Sequence, residues 1–187
     1  MNTIKSQNEI EEIGHFYKQI SKINKEYMDY WIENTLWHWD FWLSLCLTIV
    51  PWVIWFLVRK KDSQIRLLLA GLIMLVISSW LDFIGVVLGL WFYTADIVPT
   101  IPSYLPWDFT ILPVITMLFI QFKPKANPWI KAALFSSFNS FLGEPLMQWL
   151  GLYVPLKWSI FYSLPIYILI FLICYRIAQM SGCRAIK

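Results

Sequence analysis

The chain has 187 residues and a formal net charge of +3, and 58% of its residues are hydrophobic, 18% aromatic and only 14% charged. With a mean hydropathy of +0.56, this composition excludes an ordinary soluble domain and indicates an integral membrane protein with several spans. The three cysteines do not suggest a disulfide framework, and the polar start of the chain predicts no cleaved signal peptide.

The N-terminal region is patterned as an amphipathic helix. Apolar and aromatic residues recur at alternating spacings of three and four between Ile10 and Trp37, which is a heptad pattern, and charged residues occupy the other faces. Such a helix lies on the membrane surface or on the bundle, or it pairs with a second copy to give a homo-oligomer. We assign residues 1–39 to an extracytoplasmic helical tail.

Five apolar segments follow, at 41–58, 67–92, 104–122, 129–153 and 158–180. At about 1.5 Å per helical residue, each is long enough to cross a hydrocarbon core of about 30 Å. The sequence therefore predicts an all-α bundle of five transmembrane helices over 40–180, followed by a short cytoplasmic tail at 181–187.

Basic residues predict the orientation of these spans. Lys and Arg cluster between segments one and two, between three and four, and after segment five, whereas the loop 93–103 has neither. Because positively charged loops stay in the cytoplasm, we expect the N-terminus outside the cell membrane and the C-terminus inside.

Four acidic residues then fall in the outer half of the bundle, namely Asp40, Asp82, Asp108 and Glu144. They are placed to converge on one site that opens outward, and we expect Asp82 and Glu144 to approach each other across the second and fourth spans. Most tryptophans also lie near the outer ends, although an ordinary aromatic belt explains most of them.

The stretch 136–151 is unusually polar for a span. Ser136, Ser140, Glu144 and Gln148 recur every four residues and share one helix face, with Asn139 beside them. Because a carboxyl group costs several kcal/mol in hydrocarbon unless it is paired, protonated or wetted, this face should point into the bundle or a cavity. The proline after Glu144 should kink the helix and free a carbonyl group.

Asp82 and Asp108 each have a structural alternative. Asp82 shares a face with small residues, including Gly85 and Gly89, that permit close helix packing, so it either makes a structural hydrogen bond or faces a ligand. Asp108 follows Trp107 at a predicted helix start, where N-capping is an equally good explanation. Pro113 and Pro165 should each leave the backbone carbonyl group one turn earlier without its helical hydrogen bond, as in the discontinuous spans that line binding sites.

Other chemistries have little support. The two histidines are not at metal-ligand spacing, no serine lies in a nucleophile elbow, and no glycine-rich phosphate loop is present. We therefore predict no metal, no cofactor and no nucleic-acid partner.

Three strings carry a resemblance: WLDFIGVVLGLWFY at 80–93, LPWDFTILPVITMLFIQ at 105–121, and EPLMQWLGLY at 144–153 with YSLPIY at 162–167. Over roughly residues 37–176 the chain resembles a family of small five-helix integral membrane proteins from endospore-forming Gram-positive bacteria. The resemblance implies a five-helix fold and carries over no activity. It places Asp82, Asp108 and Glu144 inside the shared strings and the helical tail outside them.

Two functional hypotheses follow. In the first, an outward-facing acidic and aromatic pocket handles a lipophilic or cationic small molecule, and as an enzyme it would use a protonated acid and Trp faces in isoprenoid or lipid chemistry. In the second, the buried polar residues only hold the helices of a membrane scaffold together. The candidate catalytic residues are Glu144 and Asp82, and the candidate ligand-binding residues are Asp108, Asp40, Asn139, Gln148, Trp107, Trp149 and Trp80.

Overall fold

The computed structural model describes residues 4–101 and 103–180, and most of these residues are helical. The predicted tail at 181–187 lies outside the described residues. The helices are α1 (Gln7–Asn34), α2 (Trp39–Val58), α3 (Gln64–Val87), α4 (Leu112–Gln121), α5 (Pro128–Phe138), α6 (Glu144–Trp149) and α7 (Ile160–Ala178). A 3₁₀ turn, Lys61–Ser63, precedes α3, and two short strands, β1 (Trp91–Tyr93) and β2 (Tyr153–Pro155), pair as a ribbon.

Three helical stretches are long and apolar enough to cross a membrane: Trp39–Val58, Lys61–Val87 and Ile160–Ala178. A fourth apolar helix, Pro106–Gln121, is shorter. The predicted fourth segment is helical from Pro128 to Trp149 but includes the polar stretch. The structure thus confirms a largely helical chain, and three of the five predicted segments are candidate spans.

Helix starts follow local chemistry. Ser6 and Glu9 form a reciprocal capping box at the start of α1, and the side chains of Asn127 and Ser159 cap α5 and α7. These contacts satisfy N–H groups that have no partner inside the helix.

The core lies where α3 packs against α4 and α7, and α5 packs against α7. Its largest fully buried side chains include Trp55, Phe135 and Phe171. By contrast, the apolar stripe of α1 is exposed, and Trp31 is the buried residue of that helix.

Two π-helical segments, Pro106–Ile111 and Asn139–Gly143, each come just before a proline inside the helical path. A π-helical turn inserts one residue and rotates the faces that follow it. Pro113 has no N–H for the Phe109 carbonyl oxygen, which instead accepts a hydrogen bond from Trp52 Nε1 at 3.2 Å. The carbonyl group released by Pro113 therefore helps to join α2 to the next helix.

Two of the predicted spans end earlier than the sequence predicts, because each is followed by a strand of the ribbon. Gly89 and Gly151 adopt positive φ of 65° and 75°, and in each case the N–H of the next residue bonds to a carbonyl oxygen near the helix end at 2.9 Å. This is the Schellman pattern that ends helices at glycine. It stops α3 and α6 before the strands, so Gly89 acts in a turn rather than in helix packing. The antiparallel register is Trp91 with Pro155, Phe92 with Val154, and Tyr93 with Tyr153.

Candidate functional site

Asp82 lies on α3 under the ribbon and accepts three hydrogen bonds. Its Oδ1 atom accepts from Trp91 Nε1 at 2.6 Å and from the Tyr93 hydroxyl at 2.8 Å, and its Oδ2 atom accepts from the Tyr104 backbone N–H at 2.9 Å. Both oxygens of the side chain therefore have hydrogen-bond partners. Asp82 therefore ties the ribbon and the following loop to α3.

Two glycines make room for tryptophan rings beside this carboxylate. A Cβ atom at Gly85 would lie 2.1 Å from the Trp91 indole ring, and one at Gly143 would lie 2.6 Å from the Trp107 ring. Trp107 Nε1 in turn donates to the Tyr167 hydroxyl at 3.2 Å. The Gly85 position thus serves a tryptophan side chain rather than the helix–helix contact that the sequence predicts.

Asp108 lies in the first π-helical segment and is buried. Its Oδ2 atom accepts from the Ser103 hydroxyl at 3.0 Å, and its carboxyl group also contacts the side chains of Ser78 and Asp82. The residue preceding this segment is Leu105, so Asp108 is not the N-cap. Asp108 therefore lies next to Asp82 in the site, on a different element of the chain.

Glu144 begins α6, directly after the second π-helical segment, and only 7% of it is exposed. Its carboxyl group lies beside the hydroxyls of Ser163 and Tyr167. Its Oε2 atom is buried and has no hydrogen-bond partner. Trp158 Nε1 already donates to the Ser163 hydroxyl at 2.9 Å. Glu144 is therefore incompletely satisfied, in contrast to Asp82.

A cavity of about 200 Å³ joins these carboxyl groups. Its aromatic walls are ordered by mutual contacts: Tyr93 stacks on Tyr104 with ring centroids 4.6 Å apart, and Trp91 meets Trp158 edge-on at 4.9 Å. The acidic and aromatic residues that line it are Asp82, Asp108, Glu144, Trp91, Tyr93, Tyr104, Trp107, Tyr153, Trp158 and Tyr167.

One wall of the cavity reaches the apolar outside of the protein. Leu81 and Ile84 line the cavity, yet 40% and 48% of their surfaces remain exposed. Both lie on α3, one of the three candidate spans. An opening in this wall would face lipid if α3 crosses a membrane.

Five predicted site residues lie elsewhere. Asp40 accepts from the N–H of the next residue at 3.0 Å, and Asn139 is fully buried and donates to a carbonyl oxygen one turn back at 2.7 Å. Gln148 is half-buried, while Trp149 and Trp80 are 81% and 63% exposed. None of the five lines the cavity. Since the π-helical turn rotates the faces after Asn139, the four-residue repeat does not carry Gln148 into the site.

The residues that the sequence prediction missed are mainly aromatic. Trp91, Tyr93 and Tyr153 come from the ribbon, Trp158 comes from the loop before α7, and Tyr167 comes from α7 itself. A local signal was present, because GLWFY at 89–93 and GLYVP at 151–155 each place a glycine two residues before a strand-forming string.

A second acidic contact lies in the loop after β1. Asp96 Oδ2 accepts from the Tyr27 hydroxyl at 2.8 Å, and the Asp96 carbonyl oxygen accepts from Trp31 Nε1 at 2.7 Å. Burial raises the pKa of Asp96 to about 6, although the Tyr27 hydroxyl opposes this shift. These contacts dock the end of α1 onto the loop between β1 and the first π-helical segment.

The fold and site define a helical protein with three candidate membrane spans and an acidic, aromatic cavity. Within residues 4–101 and 103–180, no group of three His, Cys, Asp or Glu side chains is placed to hold a metal ion. Comparison of the chain with protein-family models, curated proteins and solved structures gave no match.

Proposed function

We propose that the protein is an integral membrane protein of the cell membrane with five spans. Besides the three candidate spans, the chain is helical from Pro106 to Gln121 and from Pro128 to Trp149. Residues flanking the shorter helix extend its apolar stretch to 104–122, which would cross a thin or locally adapted bilayer. The sequence strings quoted above support membership of the five-helix family from endospore-forming bacteria.

The orientation that we propose has the N-terminus outside and the C-terminus in the cytoplasm. The test is labelling with a membrane-impermeant maleimide, in a variant without its native cysteines, of Lys61→Cys and Thr100→Cys, both at exposed positions. The buried Ser103 would be a poor labelling site. We expect labelling of Thr100→Cys in intact cells and of Lys61→Cys only after lysis. Labelling of both from one side would overturn the topology.

The function that we propose is the binding of a lipophilic small molecule that carries a positive charge. The observation that carries this proposal is the Glu144 Oε2 atom, which is buried without a partner in a cavity walled by aromatic rings. A buried carboxyl oxygen is costly unless it is paired, and a cationic group would pair with it. Tryptophan and tyrosine faces attract cations further, by about 0.5–2 kcal/mol each.

The lipophilic character of the proposed ligand follows from the cavity wall formed by Leu81 and Ile84. If α3 spans the bilayer, these exposed residues face acyl chains, and a ligand could enter from the lipid with its apolar part leading to that wall. The small cavity volume, about 200 Å³, fits a head group or a short ring system rather than a whole lipid.

An enzymatic extension uses the same carboxyl group. When protonated, the free Oε2 atom of Glu144 would be able to donate a proton to an alkene or an oxygen atom of an isoprenoid or other lipid, and the aromatic walls would stabilise the cation that forms. Asp82 is a weaker candidate for this step because its oxygens are already occupied. The contacts of Asp82 support the alternative hypothesis, in which the buried polar residues only hold the helices of a membrane scaffold together.

The binding test compares two probes of equal chain length, dodecyltrimethylammonium and dodecanol. We expect the charged probe to quench tryptophan fluorescence or raise the melting temperature at lower concentration, and the preference to fall about tenfold in Glu144→Gln. Equal responses to the two probes in the unaltered protein would reject a cation site. Mass spectrometry of lipids that copurify with the protein would then identify the natural ligand class.

A further inference from the structure

A second cavity lies at the opposite end of the helices from the acidic one. It has a volume of about 270 Å³. Its walls come from four parts of the chain: the link after α2, the start of α3, the end of α4 with the loop that follows, and the end of α7. We call it the basic cavity because its charged lining residues are Lys60 and Arg66.

Neither cation is neutralised within the described chain. The ion pairs among residues 4–101 and 103–180 both lie between residues 5 and 26, far along the sequence from this cavity, and no carboxylate lines the cavity. The nearby Lys131 repels Lys60 and adds a third positive charge, although its Nζ atom already donates to the Ile120 and Phe122 carbonyl oxygens at 3.0 and 2.7 Å. The local field therefore favours an anion.

The rest of the lining combines hydrogen-bond donors with an apolar floor. Leu67, Ile120 and Ala178 are at most 5% exposed and form the floor. The side chains of Ser63 and Gln179 line the opening and have no protein hydrogen-bond partner in the described residues. Arg and Lys beside free hydroxyl and amide donors match the oxygens of a phosphate group.

We propose that the basic cavity binds a phosphate group, presented by an anionic phospholipid or as a free phosphate anion. In the five-span arrangement this cavity lies at the cytoplasmic end of the helices, where anionic head groups are concentrated. The apolar floor lies below the two cations, as the glycerol and acyl region lies below a head group. The proposal uses none of the residues of the acidic cavity.

The test measures melting temperature and apparent lipid affinity of the whole protein in detergent micelles with added phosphatidylglycerol or phosphatidylcholine. We expect phosphatidylglycerol to stabilise the protein, and the double variant K60Q/R66Q to bind it about tenfold more weakly. The matched control is K61Q/K125Q, which removes two exposed basic residues from the same side without touching the cavity. The control should keep the affinity of the unaltered protein.

Four results decide the proposal and its source. A loss in K60Q/R66Q but not in the control supports the cavity, whereas equal losses in the two double variants show that only general surface charge is involved and overturn it. Stabilisation by inorganic phosphate in phosphatidylcholine micelles, lost in the same variant, supports a free phosphate ligand. No response to phosphatidylglycerol or phosphate in the unaltered protein would reject the site, and none of these results depends on the acidic cavity.

Discussion

The two ends of the acidic cavity hold their carboxyl groups in opposite ways. At the ribbon end, Asp82 accepts bonds from an indole, a phenol and a backbone N–H, all within 2.6–2.9 Å. At the other end, Glu144 has two neighbouring hydroxyls and an oxygen with no partner. Hydrogen bonding at the first end stabilises the fold, whereas the unsatisfied oxygen at the second costs free energy that a ligand or proton can recover. We therefore predict that the first carboxyl group is structural and that the second faces a ligand.

The largest effect that we predict is on the structural end. Asp82→Leu removes the acceptor of three buried donors, at about 1–3 kcal/mol for each donor left without a partner. We expect a loss of about 3 kcal/mol or more, seen as a large fall in melting temperature. Asp82→Asn keeps one acceptor oxygen and should lose less. A Leu variant as stable as the unaltered protein would remove the basis for the structural role.

A smaller effect is expected where Gly85 admits the Trp91 ring. Gly85→Ala places a methyl group on ring atoms only 2.1 Å away, so the indole and its bond to Asp82 must shift. Overpacking of this kind costs about 1–3 kcal/mol in thermal unfolding.

The matched control is Gly14→Ala on α1, where a Cβ atom meets nothing within 4 Å. It should stabilise slightly, since alanine favours a helix more than glycine by about 0.5–1 kcal/mol. Trp91→Phe removes the overlapping ring atoms, together with the indole bond to Asp82. Measured against Trp91→Phe alone, Gly85→Ala should therefore cost less than it costs in the unaltered protein. An equal cost in the two backgrounds would show that overlap with the indole is not the cause.

At the ligand-facing end, we predict little change in stability. Glu144→Gln keeps volume and hydrogen bonding, so its melting temperature should stay within the equivalent of about 1 kcal/mol, while retention of the copurifying ligand falls. Glu144→Leu should lose both. The same preparations should be compared for melting temperature and ligand content. A Gln variant that keeps its ligand would favour the structural hypothesis for Glu144 as well.

The last effect that we predict depends on pH and concerns Asp96 and the docking of α1. Because burial raises its pKa to about 6, the folded protein binds a proton that the unfolded chain releases near pH 4. The stability from this group is therefore complete below about pH 4 and is lost as pH rises through about 6. Protection of the α1 amides, corrected for the intrinsic rise of exchange with pH, should fall over that range, and Asp96→Asn should abolish this fall. If the pH dependence of α1 protection is equally steep in Asp96→Asn, another titrating group causes it.

Local residue chemistry predicted much of the architecture. The heptad pattern predicted α1 because it depends on residues within one or two turns, and the Ser6 capping box found at its start is equally local. Apolar runs specify α2, α3 and α7 because hydropathy is a sum over neighbouring residues. The release of the Phe109 carbonyl group followed from Pro113 alone, since a proline has no N–H.

Other features depended on residues that are distant in the chain. The Asp82 carboxylate was expected near the polar stretch, but its donors come from the ribbon and the following loop, and the ribbon forms only when two glycine turns meet in space. The placement of Glu144 depends on a π-helical turn, which inserts a residue and leaves Gln148 outside the cavity. The sequence alone shows that a buried acidic residue in an apolar chain needs a hydrogen-bonding or ionic partner. Which residue becomes that partner depends on tertiary packing, because side chains from several elements compete for the same buried volume.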